Sequence, residues 1–287
     1  MANFNIINSE GKAEPFSWKK IFYSAQRVGA TRELATQIAN QIEQEAYPGM
    51  TTREIFKKIR KSLLEEKPVS GIRYSLKEAI KGLGPTGFPF EKYVGRLFEV
   101  LGFTVLLNQH LKGKCIDSYE IDFIAKIDKQ VSLAECKYHT FAGNRVDLKI
   151  VLANYAKFLD IKNGDFFKTK SLKHLKLRSL IVTNTKFTSQ AIKFAECYHL
   201  DLLGWHYPAN RGLEYLIESE KFYPITILPS ATPDILSALS SFKIMLVQDL
   251  LRPDIYKIAK KANIKDQKLN QLITEAQMLL SPNYETS

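Results

Sequence analysis

The chain of 287 residues lacks any apolar run of the roughly 18 residues that are needed to cross a bilayer. Its first twelve residues also lack the basic start and the apolar core of a secretory signal. These two absences predict a protein without membrane association, and we expect a cytoplasmic location.

Cysteine and histidine are scarce as well. The three cysteines, Cys115, Cys136 and Cys197, fit neither a disulfide framework nor a paired-cysteine zinc site. The five histidines are scattered, and no His-Glu-x-x-His arrangement is present. We therefore expect free thiols, and the pattern argues against a zinc hydrolase.

The charge balance is positive, with 41 Lys and Arg against 30 Asp and Glu, which gives a net charge of +11. A basic surface favours polyanionic partners, because each neutralised phosphate releases bound counterions. Two stretches could track a DNA backbone, one containing Lys168, Lys170 and Lys173 and the other containing Lys260 and Lys261. Solvated basic faces explain both stretches equally well.

The hydrophobic pattern divides the chain into three predicted domains, residues 1–84, 88–208 and 225–287. The first and third are mainly helical, and Thr51 with Glu54 forms a capping-box pattern in the first. The middle domain has the order α-β-β-β-α-β-α-β, which predicts an α/β fold with a mixed sheet flanked by helices. Its predicted strands are 103–107, 120–127, 130–138, 180–183 and 201–205, and its predicted helices are 90–101, 146–161 and 188–198.

The second and third predicted strands of the middle domain are joined by a tight turn at Asp128 and Lys129. If the turn is centred between these residues, opposed residues have numbers that sum to 257. Asp122 then faces Glu135, with Cβ atoms roughly 5 Å apart. Lys137 lies two residues beyond Glu135 and shares its side of the strand.

Two carboxylates and an ammonium group in this arrangement suit phosphodiester hydrolysis. Neighbouring carboxylates repel each other unless a cation lies between them, and Mg²⁺ prefers oxygen ligands. A lysine beside the ion can orient water and stabilise the phosphate oxygens. The residues predict a site for Mg²⁺ or Mn²⁺, although an exposed hairpin with a cross-strand ion pair is the alternative.

Several ordered motifs extend beyond the hairpin. They are Phe90-Glu91, Leu101-Gly102-Phe103, Glu120-Ile121-Asp122-Phe123, Ala134-Glu135-Cys136-Lys137, Ile181-Val182-Thr183-Asn184 and Phe187-Thr188-x-x-Ala191. Together they make residues 90–205 resemble the restriction-endonuclease-like PD-(D/E)XK nucleases of the Mrr type. Ile121 stands where that family often has proline.

The resemblance implies a restriction-endonuclease-like fold and a DNA endonuclease with a restriction or DNA-processing role. It implies that Asp122 and Glu135 bind the metal ion and that Lys137 assists the attacking water. It also places Glu91 in the metal site, although acids are favoured in the first turn of any helix by its dipole. One such site cuts one strand, so double-strand cleavage would require a homodimer.

The N-terminal segment carries Ile6-Ile7, Gly11-Lys12, Glu14-Pro15-Phe16 and Lys19-Lys20-Ile21. These pieces resemble the ATP-cone, the nucleotide-sensing module of ribonucleotide reductases and their repressor. The resemblance implies binding of ATP or dATP, with Lys12, Lys19 and Lys20 near the phosphates. Because Asn8 and Ser9 replace the family's usual basic residues, a DNA-binding or dimer-forming module is the alternative.

Residues 234–280 are similar to helix-hairpin-helix units, which hold the DNA backbone, and a small helical packing bundle is the alternative. For the whole chain, two rival functions stay open. One is a non-catalytic, nucleotide-responsive DNA-binding protein, and the other is a junction-specific recombination nuclease.

Overall fold

The structure, a computed structural model, describes residues 4–84, 89–141, 143–165 and 174–281. Contacts between residues divide the chain into two compact units. The first unit combines the described parts of 1–82 and 223–287, and the second contains those of 83–222. Two of the three predicted domains therefore fold within one compact unit. In the described ranges, every helix is too short or too polar to span a bilayer.

The first unit begins with a small antiparallel hairpin followed by helices. These elements are β1 (Asn5–Ile7), β2 (Ala13–Pro15), α1 (Trp18–Arg27), α2 (Arg32–Glu45), α3 (Thr52–Glu66), α4 (Pro68–Tyr74) and α5 (Leu76–Lys81). The predicted capping box is present, since Thr51 Oγ1 accepts from the N–H of Glu54 and the Glu54 carboxylate accepts from the N–H of Thr51. Ile38, Ile42 and Leu63 lie in its core.

The second unit is the mixed α/β part of the chain. Its elements are α6 (Phe90–Val100), β3 (Thr104–Leu111), β4 (Tyr119–Ile127), β5 (Gln130–Lys137), β6 (Arg145–Val146), α7 (Leu148–Asn163), β7 (Lys176–Thr183), β8 (Lys186–Phe187), α8 (Ser189–Tyr198), β9 (Asp201–Leu203) and α9 (Leu213–Ser219). Five strands form one sheet in the order β3-β4-β5-β7-β9, and β6 pairs separately with β8. Pairing is antiparallel from β3 to β5 and parallel from β5 to β9, which confirms the predicted mixed sheet.

Helices cover both faces of the sheet. Phe98 of α6 packs against Phe123 of β4, with ring centroids 5.3 Å apart. Leu133 of β5 packs with Phe158 of α7 in a separate cluster. Phe123 is paired with Ala134, the neighbour of Leu133, so the two helices lie against opposite faces.

The β4–β5 hairpin has the predicted register over most of its length. Its ladder runs from Ile127 opposite Gln130 to Phe123 opposite Ala134, and each of these pairs sums to 257. Asp128 begins the turn with a φ of 50°, a left-handed conformation that Asp tolerates better than most residues. A two-residue turn of this kind fixes which residues face each other.

The regular pattern changes at Asp122. Where the next rung would form, the Asp122 carboxylate accepts a hydrogen bond from the N–H of Cys136, 2.6 Å away. The facing residue of β3, Asn108, has a φ of 50°, and β3–β4 pairing continues at Gln109 opposite Ile121. Simple alternation predicts that Ile121 shares the face of Phe123, but Ile121 packs in the cluster beside α7. Ile121 departs from simple alternation because the distortion at Asp122 interrupts the alternation of side chains along β4.

The C-terminal part of the first unit consists of short helices. They are a 3₁₀ helix at Ile225–Ile227, α10 (Pro233–Ser240), a second 3₁₀ helix at Val247–Leu251, α11 (Ile255–Lys261) and α12 (Asp266–Leu280). The turns after α10 and α11 contain Lys243 and Asn263 with φ of 59° and 55°. Glu275 of α12 is buried and accepts hydrogen bonds from the N–H and the hydroxyl of Ser230.

Candidate active site

The site lies where β4 and β5 separate. Their shared ladder ends at Phe123 and Ala134, whereas β5 continues to pair with β7 as far as Lys137 opposite Thr183. At Glu135, β5 is therefore still paired with β7 but no longer paired with β4. This geometry gives a carboxylate a rigid backbone and an opening beside it.

Both carboxylate oxygens of Glu135 contact lysine ammonium groups. Lys137 Nζ lies 2.6 Å from Oε1, and Lys157 Nζ lies 2.7 Å from Oε2. The Glu135 side chain is only 18% exposed, so its charge needs such partners. Burial alone would raise the pKa of Glu135, but the hydrogen bonds from the two lysines outweigh it and hold the pKa below its ordinary value.

Asp122 has the opposite electrostatic situation. Burial raises its pKa, and the negative charges of Glu135 and Glu91 add to the effect. The N–H of Cys136 and the charge of Lys157 act in the other direction without cancelling it. The site thus holds one carboxylate that lysines stabilise and one whose negative charge is costly.

Glu91 belongs to the first turn of α6, and it is part of the same charged group. Its charge raises the pKa of Asp122. It also helps to raise the pKa of the partly buried Cys136 thiol, for which burial and the charge of Asp122 are the larger causes. The three acids predicted for the metal site thus interact electrostatically. Within the described ranges, however, no three or more Asp, Glu, His and Cys side chains are already arranged around one point that could hold a metal ion.

Lys157 is a component of the site that the sequence did not reveal. It lies on α7 three residues after Asn154, so both side chains occupy the same side of the helix. Asn154 is buried and joins α7 to β7 through a 2.7 Å hydrogen bond with Ser179. Lys157 Nζ also donates to the backbone carbonyl of Glu120. The packing of α7 thereby brings a second ammonium group to Glu135.

A cleft of about 190 Å³ opens beside these groups. It is lined by Glu135, Lys137, Ile150, Ala153, Asn154 and Lys157. A water molecule occupies about 30 Å³ in the liquid, so the cleft has room for a few waters or for one phosphate group. Two ammonium groups on its wall make it suitable for an anion.

The end of β5 is fixed by side chains at the end of β7 and directly after it. Thr183 Oγ1 donates to the backbone carbonyl of Lys137 at 2.7 Å. The Asn184 amide accepts from the N–H of His139 at 2.9 Å and donates to its carbonyl at 2.8 Å. Asn184 is 1% exposed, and its side chain acts as an additional rung beyond the ladder. The sequence motif containing Thr183 and Asn184 thus supports the strand that carries Lys137.

The other predicted binding residues lie away from this cluster. Lys12 and Lys20 are exposed and pair with Glu10 and Glu14, and Lys19 is exposed on α1. Lys260 and Lys261 are exposed in the last turn of α11. Lys168, Lys170 and Lys173 fall outside the described residues. The three cysteines are free thiols, as the sequence predicts.

Comparison with known proteins finds a matching family model, a relative and a solved structure. A family model described as "AF1548-like, C-terminal" matches residues 223–280. A relative from Archaeoglobus fulgidus, described as "Uncharacterized protein", is 32% identical over 187 residues, which covers 65% of this chain and 99% of the relative. A solved structure described as "Crystal Structure of Protein of Unknown Function AF1548" is 33% identical with a TM-score of 0.51, and the match covers 64% of this chain and 92% of that one.

Proposed function

The chain belongs to the AF1548-like family. From the charged cluster of Asp122, Glu135, Lys137 and Lys157, we propose that it is a metal-dependent DNA endonuclease with a restriction-endonuclease-like fold. The observation that carries the proposal is the pairing of Glu135 with Lys137 and Lys157 beside Asp122. The general architecture, a mixed sheet with helices on both faces, is compatible with that fold.

The donor set suits a hard divalent cation. Asp122 and Glu135 supply carboxylate oxygens, and Glu91 adds negative charge from α6. The pKa of Asp122 is raised because its carboxylate is partly buried and lies beside other acids. An ion such as Mg²⁺ or Mn²⁺ would balance this negative charge. When bound there, such an ion would lower the pKa of a coordinated water and neutralise charge on the phosphate.

The chain's own groups supply the remaining chemistry. Lys137 lines the cleft, so its ammonium group can stabilise the negative oxygens of a phosphodiester that enters. Thr183 and Asn184 hold the backbone at the carbonyl of this lysine and at His139, and this support limits the movement of the backbone that carries Lys137. A fixed donor is more effective than a mobile one, because it needs no reorganisation during the reaction.

DNA is the proposed substrate because the chain is basic and the cleft presents ammonium groups. We propose that the exposed Lys260 and Lys261 contribute to binding of the phosphate backbone. A homodimer would supply the second site that double-strand cleavage requires. Binding of ATP or dATP near Lys12, Lys19 and Lys20 stays a prediction.

The test is cleavage of supercoiled plasmid, unmodified and methylated, in Mg²⁺ or Mn²⁺. Glu135→Gln and Lys137→Met are each expected to reduce the rate by about 10²- to 10³-fold, the usual loss when one electrostatic group is removed from such a site. Glu99→Gln, an exposed acid on α6, and Lys149→Met, an exposed lysine on α7, are the matched controls and should retain full activity.

Equal cleavage by Glu135→Gln and the wild type would show that this site is wrong. DNA binding without cleavage under any metal condition would instead favour a non-catalytic DNA-binding protein. A strong preference for four-way junctions over linear duplex would identify a junction nuclease with the same chemistry.

A further inference from the structure

Lys157 occupies a position that a metal ion would also need. Its ammonium group lies 2.7 Å from Glu135 Oε2, while Lys137 holds Oε1 of the same carboxylate. A divalent ion that takes Glu135 as a ligand through Oε2 must therefore compete with Lys157. Like charges repel, so ammonium and metal ion cannot share that oxygen without cost.

Lys157 has a place to move when it leaves Glu135. Its side chain has a flexible four-carbon stem and lines the 190 Å³ cleft, together with Lys137. Its side chain is 21% exposed, so solvent already reaches it. The same ammonium group can therefore neutralise Glu135 in one state and a phosphate in the cleft in another.

We propose that Lys157 is a mobile counter-ion that pairs with Glu135 until a divalent cation replaces it, and that it then binds a DNA phosphate in the cleft. This proposal rests on the proposed function, since it assigns the cation to Glu135 and the phosphate to DNA. It makes occupation by the cation and affinity for DNA energetically linked through one lysine. To move, Lys157 must also release the hydrogen bond that its ammonium group donates to the backbone carbonyl of Glu120.

The first experiment measures Mn²⁺ binding to the full chain by isothermal titration in the absence of DNA. Lys157→Met is expected to bind Mn²⁺ about tenfold more tightly, because the ion no longer displaces a charge-assisted hydrogen bond. Lys149→Met is expected to match the wild type, since this lysine is exposed on the same helix. Lys157→Arg keeps a cation on Glu135 and should bind Mn²⁺ no more tightly than the wild type.

The second experiment measures the affinity of the full chain for a short DNA duplex, once in Ca²⁺ and once in EDTA. Ca²⁺ replaces Mg²⁺ or Mn²⁺ so that DNA can bind without being cleaved. In Ca²⁺, Lys157→Met should bind DNA more weakly, and the slope of log K against log salt should fall by about one. In EDTA the same change should leave affinity unaltered, because Lys157 is then engaged by Glu135. Any contribution from Lys149 should be equal in both conditions.

Unchanged or weaker Mn²⁺ binding by Lys157→Met would overturn the proposal. So would an equal loss of DNA affinity in Ca²⁺ and EDTA, which would mark a fixed phosphate contact. These failures are distinct from failure of the nuclease function, which the wild-type cleavage assay reports separately. Thermal unfolding of Lys157→Met and Lys157→Arg shows whether either variant is misfolded. If the methionine variant is misfolded, Lys157→Gln, which also removes the positive charge, replaces it with the same expected results.

Discussion

Lysine–glutamate pairs occur in both compact units, and they differ in their surroundings. In the first unit, Lys12 pairs with Glu10 at 3.0 Å, and these side chains are 73% and 34% exposed. In the second unit, the Glu135 side chain is 18% exposed and contacts two lysines. The distances are similar, but water reaches the Lys12–Glu10 pair more freely than it reaches the Glu135 carboxylate.

The difference shows why spacing alone does not define a site. An exposed ion pair contributes little, because water and salt screen the charges and the side chains lose freedom. A carboxylate within the protein must keep its partners, and its proton affinity then responds to each neighbour. The second unit is therefore where changes of charge should have large consequences, and the N-terminal hairpin is where they should be small.

Asp122→Asn should produce the largest effects and should separate function from stability. Cleavage should fall by about 10²-fold or more, because an amide is a poor substitute for a carboxylate beside a metal ion. In EDTA the variant should be more stable than the wild type, since the costly charge is gone and the amide oxygen can still accept from Cys136. After allowance for solvent screening we expect about 1 kcal/mol, or about 2–4 °C in the melting temperature.

The stabilisation by Asp122→Asn should depend on pH in a defined direction. The pKa of Asp122 is raised in the folded state, so the wild type loses stability as pH increases from the ordinary value of 3.8 through the raised value. The gain in stability of the variant over the wild type should be absent below pH 3.8 and constant near neutral pH. Glu135 should have the opposite pH dependence, because its pKa is lowered in the folded state and its contribution to stability is lost on acidification. Denaturation at several pH values checks this, and a variant less stable than the wild type at pH 7 would contradict the electrostatic description.

Asn184→Ala should have an intermediate effect. It removes both hydrogen bonds to the backbone of His139, at a residue that is 1% exposed. We expect a loss of about 1–3 kcal/mol in the free energy of unfolding, because buried polar groups are left without partners. Chemical denaturation and faster exchange of the His139 amide hydrogen should report it.

The matched control for Asn184→Ala is Asn144→Ala, at an exposed position in the same unit. That change should leave stability within about 0.5 kcal/mol of the wild type. Equal stability of the two variants would show that the Asn184 side chain does not support β5.

The smallest effect is expected in the first unit. Lys12→Ala combined with Lys20→Ala should change the free energy of unfolding by less than about 0.5 kcal/mol, because both ion pairs are exposed. If the N-terminal module binds ATP through these lysines, the same double variant should lose ATP binding in isothermal titration. A large destabilisation would mean that these pairs resemble the Glu135 pairs after all.

Much of the second unit could be predicted from the sequence because the signals are local. The turn at Asp128 and Lys129 follows from neighbouring residues, and it fixes the register of Phe123 opposite Ala134. The helix before β3 and the alternation of strands and helices also follow from local periodicity. The structure confirms these features, while strand ends differ by a few residues, as with β3, which extends to Leu111.

Other features depend on contacts between residues that are distant in the sequence. Lys157 follows Glu135 by 22 positions, and only the packing of α7 on the sheet brings them together. The distortion at Asp122 depends on a side-chain hydrogen bond to Cys136 on the next strand. The union of the N-terminal and C-terminal segments in one unit is also a product of tertiary packing. No local pattern specifies any of these three.

The two-residue turn of the β4–β5 hairpin restricts how this protein can evolve. Replacing Asp128 or Lys129 by other turn-forming residues keeps the strand register, whereas a single inserted or deleted residue would exchange the two faces of one strand relative to the other. Glu135 and Lys137 would then project away from Lys157. Across descendants of this chain, the length of the turn should therefore be under stronger selection than its composition.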